Sequence, residues 1–93
     1  MEIQIDLHTL ERAEERGTNE EEITDVITTG FSIPAKRDRM GKAKVYDFQQ
    51  RRHDRYYEHK RVEVMYKIER DTVITVTVYV FYGQWERDNA DIV

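Results

Sequence analysis

The sequence predicts an α+β fold: two N-terminal helices packed on one face of an antiparallel sheet of three to four strands, in the order β-α-α-β-β-β. Residues 7–30 carry start and stop signals for two short helices. Residues 62–82 alternate as the two strands of a hairpin. The length of 93 residues sets the scale, because a chain of this size buries roughly 60–65% of its unfolded surface, enough for one helical layer on one sheet. A single domain is expected over residues 1–85, with a frayed polar tail over 86–93.

Met1, Ile3 and Ile5 alternate, which suits a short strand. Asp6 is placed to cap a helix over Leu7–Arg16, whose narrow apolar side is Leu7, Leu10 and Ala13. Gly17 fits the left-handed position past a helix end. Thr18 then fits the cap of a second helix, with Glu21 three residues on completing a capping box. Glu20, Glu21 and Glu22 suit the positive end of that helix, Ile23, Val26 and Ile27 supply its buried stripe, and Gly30 ends it. Ser32-Ile33-Pro34 reads as an edge segment, since proline cannot donate to a sheet ladder. Arg39-Met40-Gly41-Lys42 reads as a turn, Ala43–Phe48 as a strand, and Gln49–Arg55 as a charged loop.

The next strand begins within Tyr56–Arg61 and runs to Glu69, with Val62, Val64, Tyr66 and Ile68 on one face. Val73–Tyr82 is the strongest strand signal. It sets Ile74, Val76, Val78 and Val80 on one face and Val73, Thr75, Thr77, Tyr79 and Phe81 on the other. A two-residue loop at Arg70-Asp71 would place Ile68 opposite Val73 and Lys67 opposite Ile74, mixing the faces. A three-residue loop, Arg70-Asp71-Thr72, pairs Ile68 with Ile74 and Val64 with Val78, and is the register expected. The helices then cover the aliphatic face and leave Arg61, Glu63, Lys67, Thr75, Thr77 and Tyr79 on the other. Gly83-Gln84-Trp85 closes the strand, with Trp85 sealing either the monomer core or an interface.

Composition excludes several functions. There are no cysteines, so disulfides, thiolate metal sites and cysteine nucleophiles are absent. The first ten residues lack the basic and apolar regions of a signal peptide, and no apolar run approaches the ~20 residues of a membrane span. A soluble cytoplasmic protein is the expectation. The net charge of -4 divides unevenly: -7 over residues 1–30, +6 over residues 31–61 and -3 over the remainder. Such a split forms either one basic surface suited to a polyanion or segments that neutralise each other across the fold.

Two groups of residues are candidates for chemistry. His8, Arg12 and Arg16 stand at steps of four on the first helix, which puts them on one ladder about 80° wide, away from Leu10 and Ala13. Two arginines at that spacing match a phosphate, and a histidine beside it is a proton carrier near neutral pH. The bland alternative is a solvated face in which Glu11 and Glu15 pair the arginines. The second group is the run Arg51–Arg61, where Arg51, Arg52, Arg55, Lys60 and Arg61 interleave with Tyr56 and Tyr57. Cations for phosphates beside rings for bases are the makings of an RNA surface; a charged loop with tyrosines packed inward fits equally well. His53 and His59 are too few for a metal site, and no glycine-rich phosphate loop or nucleophile elbow occurs. No metal and no cofactor are expected. Tyr46, Tyr66, Tyr79 and Tyr82 read as packing residues.

The string His8-x-x-x-Arg12-x-x-x-Arg16-Gly17, followed by Glu21-Glu22-Ile23 and Gly30, and later by Tyr46, Val62–Ile68 and Val73-Ile74-Thr75-Val76, resembles a bacterial family of small domains of unknown function. The resemblance covers roughly residues 7–80. That family is similar in element order to the RelE-like and BrnT-like toxins, small metal-independent ribonucleases. The resemblance implies RNA cleavage by the ribose 2′-hydroxyl, with His8 as general base or acid, Arg12 and Arg16 on the phosphate, and Lys67, Arg61 or Thr75 contributing from the sheet. It implies RNA and an antitoxin-like protein as partners. The alternatives are a non-catalytic module that binds RNA or an acidic protein through the basic run, and a regulatory protein in which Arg12 is buried against a carboxylate.

Overall fold

The structure is a computed structural model that describes residues 1–86. The chain runs β1 (Glu2–Gln4), α1 (Leu7–Arg16), α2 (Glu20–Thr29), β2 (Phe31–Ile33), β3 (Met40–Arg52), β4 (Arg55–Glu69) and β5 (Thr72–Gly83). The α+β class and the N-terminal helix pair are as expected. The sheet differs: it has five strands in the order β1-β5-β4-β3-β2, and it is mixed, because β1 runs parallel to β5. The helices carry the chain from one edge of the sheet to the other. The antiparallel meander β2 to β5 then returns, so that the last strand lies beside the first. Of the expected polar tail, residues 87–93 lie outside the described residues.

Asp6 caps α1 by accepting from the Thr9 amide at 3.1 Å. The face α1 buries is only partly the expected one: Ala13 is in the core as expected, but the helix is rotated away from Leu7 towards Thr9. Thr9 and Ala13 are buried, whereas Leu7 is 71% exposed. A hydroxyl pair sets this rotation: Thr75 donates to Thr9 at 3.0 Å and accepts from the Asp6 amide at 3.2 Å. Two small side chains at the contact let the helix lie close to the sheet.

Gly17 ends α1 at φ 92°, as its place in the sequence predicted. The position demands glycine twice over, since a Cβ there would also run into the Tyr82 hydroxyl. The cap of α2 is Asn19 rather than Thr18: its side chain accepts from the Glu22 amide at 2.9 Å. Thr18 is otherwise engaged, donating to the Glu22 carboxylate at 2.7 Å. Gly30 closes α2 without a left-handed turn; a Cβ there would press on the carbonyls of Val26 and Ala43, where α2 passes directly into β2.

The strands are longer than expected because the turns are tighter. The turn expected at Arg39–Lys42 falls earlier, with Asp38 left-handed, and Met40 already begins β3. No loop occupies Gln49–Arg55. There β3 continues through a bulge at Phe48-Gln49 and turns at His53-Asp54, both left-handed. Arg70-Asp71 do the same between β4 and β5. Two consecutive left-handed residues make the two-residue turn that matches strand twist. The three-residue loop is therefore wrong: Ile68 faces Val73 and Lys67 faces Ile74. An extra residue, Val76, then lies between the pairs Tyr66–Thr75 and Met65–Thr77, and this bulge restores the expected Val64–Val78 pair.

The bulge exchanges the faces of β5. Val73 and Thr75 point to the helices before it, and Val78 and Val80 after it. The core is Ala13, Ile23, Val26, Val62, Val64, Tyr66, Val73 and Val78, with α1 over β5 and α2 over β4 and β3.

Lys60 extends the inward row of Val62, Val64 and Tyr66, and is buried. Its ammonium donates to Glu22 at 2.8 Å and to the Gly17 carbonyl at 3.0 Å. Removing one partner of such a pair strands the other, so Lys60→Ala is expected to lower stability by about 3 kcal/mol in urea denaturation. Gly17→Ala is expected to cost more than about 1 kcal/mol in the same measurement, from its left-handed backbone alone.

Candidate functional site

The residues proposed for catalysis do not meet. His8 is exposed and has no hydrogen-bond or ion-pair partner among the described residues. Arg12 is not buried; it pairs with Glu15 at 3.1 Å on the helix surface. Arg16 turns to the sheet. Its Nη1 donates to the Val78 carbonyl at 2.6 Å and its guanidinium stands 5.4 Å from the centre of the Tyr79 ring. Thr75, expected on the uncovered face, is 2% exposed beneath α1, because the bulge follows it. Lys67 is on the uncovered face, paired with Glu69 at 3.1 Å. The helix ladder and the buried Thr75 are thus on the helix side of the sheet and Lys67 is on the other, and no acid, base and phosphate-binding cation converge among the described residues.

The basic run is likewise divided. Arg52 donates to the Glu15 carbonyl at 3.1 Å and lies 4.9 Å from the Tyr82 ring. Lys60 is inside the protein. Arg61 is on the uncovered face, bound to Glu63 at 2.8 Å and stacked 5.3 Å from Phe31. Arg51 folds back on the Asp54 carbonyl at 2.8 Å. Arg55 and Tyr56 are left at the hairpin tip, exposed. The other cluster of cations, Lys36, Arg37 and Arg39, precedes the opposite end of β3. A strand of 13 residues separates the two groups by roughly 40 Å. The charge of residues 31–61 therefore builds no continuous surface.

What the sheet does present is its uncovered side. Paired residues share a face, so Arg61 sits beside Phe81 and Val45, Glu63 beside Tyr79 and Ala43, and Met65 beside Thr77 and Gly41. Phe31 and Ile33 extend this surface across β2. Tyr79 and Phe81 are 40% and 47% exposed, with their rings stacked 6.4 Å apart. The alternation Tyr79-x-Phe81 was legible in the sequence. The expected neighbour Thr75 belongs to the core, and strand alternation puts Arg61 and Glu63 on this face without showing that they pair.

A second polar cluster lies on the helix side. Asp25 accepts from Lys44 at 2.7 Å, from Tyr46 at 2.6 Å and from Thr29 at 3.0 Å. The bond from Lys44, then that from Tyr46, holds the Asp25 carboxyl at about 2, below its ordinary 3.8. Burial, then the bond to Asp25, pushes the Tyr46 phenol well up. Neither the Asp25 carboxyl nor the Tyr46 phenol is poised to exchange a proton near neutral pH; the cluster ties α2 to β3.

No group of three or more metal-ligating side chains occurs among the described residues. No described helix is long and apolar enough to cross a membrane. No known protein family, curated protein or solved structure matches this chain.

The Asp25 cluster has a pH signature. A depressed carboxyl contributes stability above its unfolded value and loses it as pH falls through the folded one. The contribution is complete above about pH 4 and lost towards about pH 2. Asp25→Asn is expected to be less stable than the parent at neutral pH and to show a flatter stability profile between these limits, followed by thermal unfolding in a pH series.

Proposed function

We propose that this chain is a non-catalytic binding module, and that the uncovered face of its sheet receives a protein partner. The Tyr79–Phe81 ring pair carries this reading: two large side chains, stacked and 40% and 47% exposed, stand on a face that no helix covers among the described residues. Aromatic, methionine and arginine side chains are enriched where proteins meet, and Met65, Arg61 and, further across the sheet, Phe31 share this face with the pair. The charges of the face are already matched, Arg61 by Glu63 and Lys67 by Glu69. Such a surface suits a partner that buries rings, and it offers a polyanion no free array of cations.

A second reading, a metal-independent RelE-like endoribonuclease, rests on the exposed and unpaired His8 one helical turn from Arg12. The two are separated by experiment. A photo-crosslinking residue at Thr77, on the uncovered face, is expected to capture one discrete protein in cells, whereas the same group at Glu14, on the solvent side of α1, captures none. The product should vanish in a Tyr79→Ser/Phe81→Ser chain that remains folded by circular dichroism. In parallel, RNA incubated with the chain in EDTA at low salt should stay intact and unshifted. Cleavage that is lost in His8→Ala would overturn the module and establish the ribonuclease.

A further inference from the structure

Among the described residues, no strand pairs with the outer edge of β5 over most of its length. β1 pairs only with Thr72, Val73 and Ile74. From Val76 to Tyr82 no strand adjoins that edge among the described residues. The run Thr72–Trp85 contains no charged residue and no proline, and β-branched and aromatic side chains fill most of it. An open edge of this composition is a template for strand addition.

Arg16 lies across it. The guanidinium touches both the Val78 carbonyl, at 2.6 Å, and the Tyr79 ring, at 5.4 Å. Val78 and Tyr79 are successive strand residues, so their side chains project from opposite faces. Val78 is on the side of α1, and Tyr79 is on the uncovered side. To reach both, the Arg16 side chain passes round the edge. The carbonyl it occupies is therefore one that points outward, and alternation turns the amides of Val80 and Tyr82 the same way. The end of the helix is pinned at this place, since the Tyr82 hydroxyl donates to the Arg16 carbonyl at 2.7 Å.

We propose that the free edge of β5 is a strand-addition surface for a second copy of this chain, and that Arg16 keeps it closed. The edge has no charge with which to select an unlike strand. Its chemistry is like-with-like: an identical β5, antiparallel about a two-fold axis, pairs the same β-branched run with itself. Val78 and Val80 then lie beside their copies under the helices, and Tyr79 and Phe81 continue the aromatic row across the boundary. Arg16 prevents this by filling the first outward carbonyl and by placing a charge that would have to be desolvated inside the new ladder.

The test is the mass of the full chain across a concentration series, by ultracentrifugation, with hydrogen exchange of individual amides. The parent chain and Arg12→Ala are expected to remain monomeric. Arg16→Ala is expected to double in mass, with slowed exchange at Val78, Val80 and Tyr82. Arg16→Gln, which keeps a donor for the carbonyl, carries the test if the alanine variant does not fold; it should associate more weakly than Arg16→Ala but more than the parent. Folded Arg16 variants that stay monomeric would overturn the proposal. So would association without slowed exchange at those amides, which would place the contact elsewhere, or a parent chain that is already a dimer with those amides protected. These outcomes are independent of what binds the uncovered face.

Discussion

The carbonyls that end α1 are held by three strands at once. Arg52 of β3 donates to Glu15, Tyr82 of β5 to Arg16, and Lys60 of β4 to Gly17. A helix C-terminus carries partial negative charge on carbonyls without helical partners, and cations placed there meet both needs. The rest of the architecture depends on this junction. It fixes where α1 stops, and Lys60 passes the connection to Glu22 and so to the first turn of α2. The rings of Phe48 and Tyr57 pack on Tyr82, 5.0 and 5.5 Å away, and hold its hydroxyl in place. Gly17 is required because the chain must turn within reach of all three donors.

This junction also explains the charge pattern of the sequence. Residues 1–30 are acidic and residues 31–61 basic because the helices and the strands beneath them are complementary surfaces. Lys60 meets Glu22, Lys44 meets Asp25, and Arg52 meets the helix end. A cation that is buried or committed to a carbonyl is not available to a phosphate. Three of the lysines and arginines that suggested a polyanion surface, Lys44, Arg52 and Lys60, are part of the scaffold. The aromatic residues among them divide in the same way, with Tyr57 packed inward and Tyr56 left on the hairpin tip.

Local signals in the sequence were accurate where one residue type has one physical use. Gly17 and the bounds of α1 needed no tertiary information, nor did the strand alternation of Val62 to Ile68. Errors arose where two residues compete for one role. Thr18 and Asn19 both make good caps, and the choice fell to Asn19 because Thr18 and Lys60, which is 38 residues further along the chain than Glu22, converge on the Glu22 carboxylate. Leu7 is the more apolar residue, yet Thr9 is buried, because a hydroxyl partner on β5 decides the rotation of the helix. The candidate site was the least legible part. Position on a helix ladder shows that His8, Arg12 and Arg16 share a side, but not that a sheet edge lies beneath only the last of them.

The decisive departure is the register of the last hairpin. Alternation alone made a two-residue turn look wrong, because it sets Lys67 against Ile74. The chain keeps that turn, with Arg70 and Asp71 both left-handed, and corrects the register with one extra residue at Val76. The correction has two consequences. It drops Thr75 into the core and brings Tyr79 and Phe81 out on the uncovered face. It also falls where the pairing of β1 ends, at Ile74, since a bulge bends and twists a strand away from a straight neighbour. The bare edge and the aromatic face therefore have one origin. A strand that had run straight from Val73 to Tyr82 could have been covered by a longer β1 and would have needed no arginine across it.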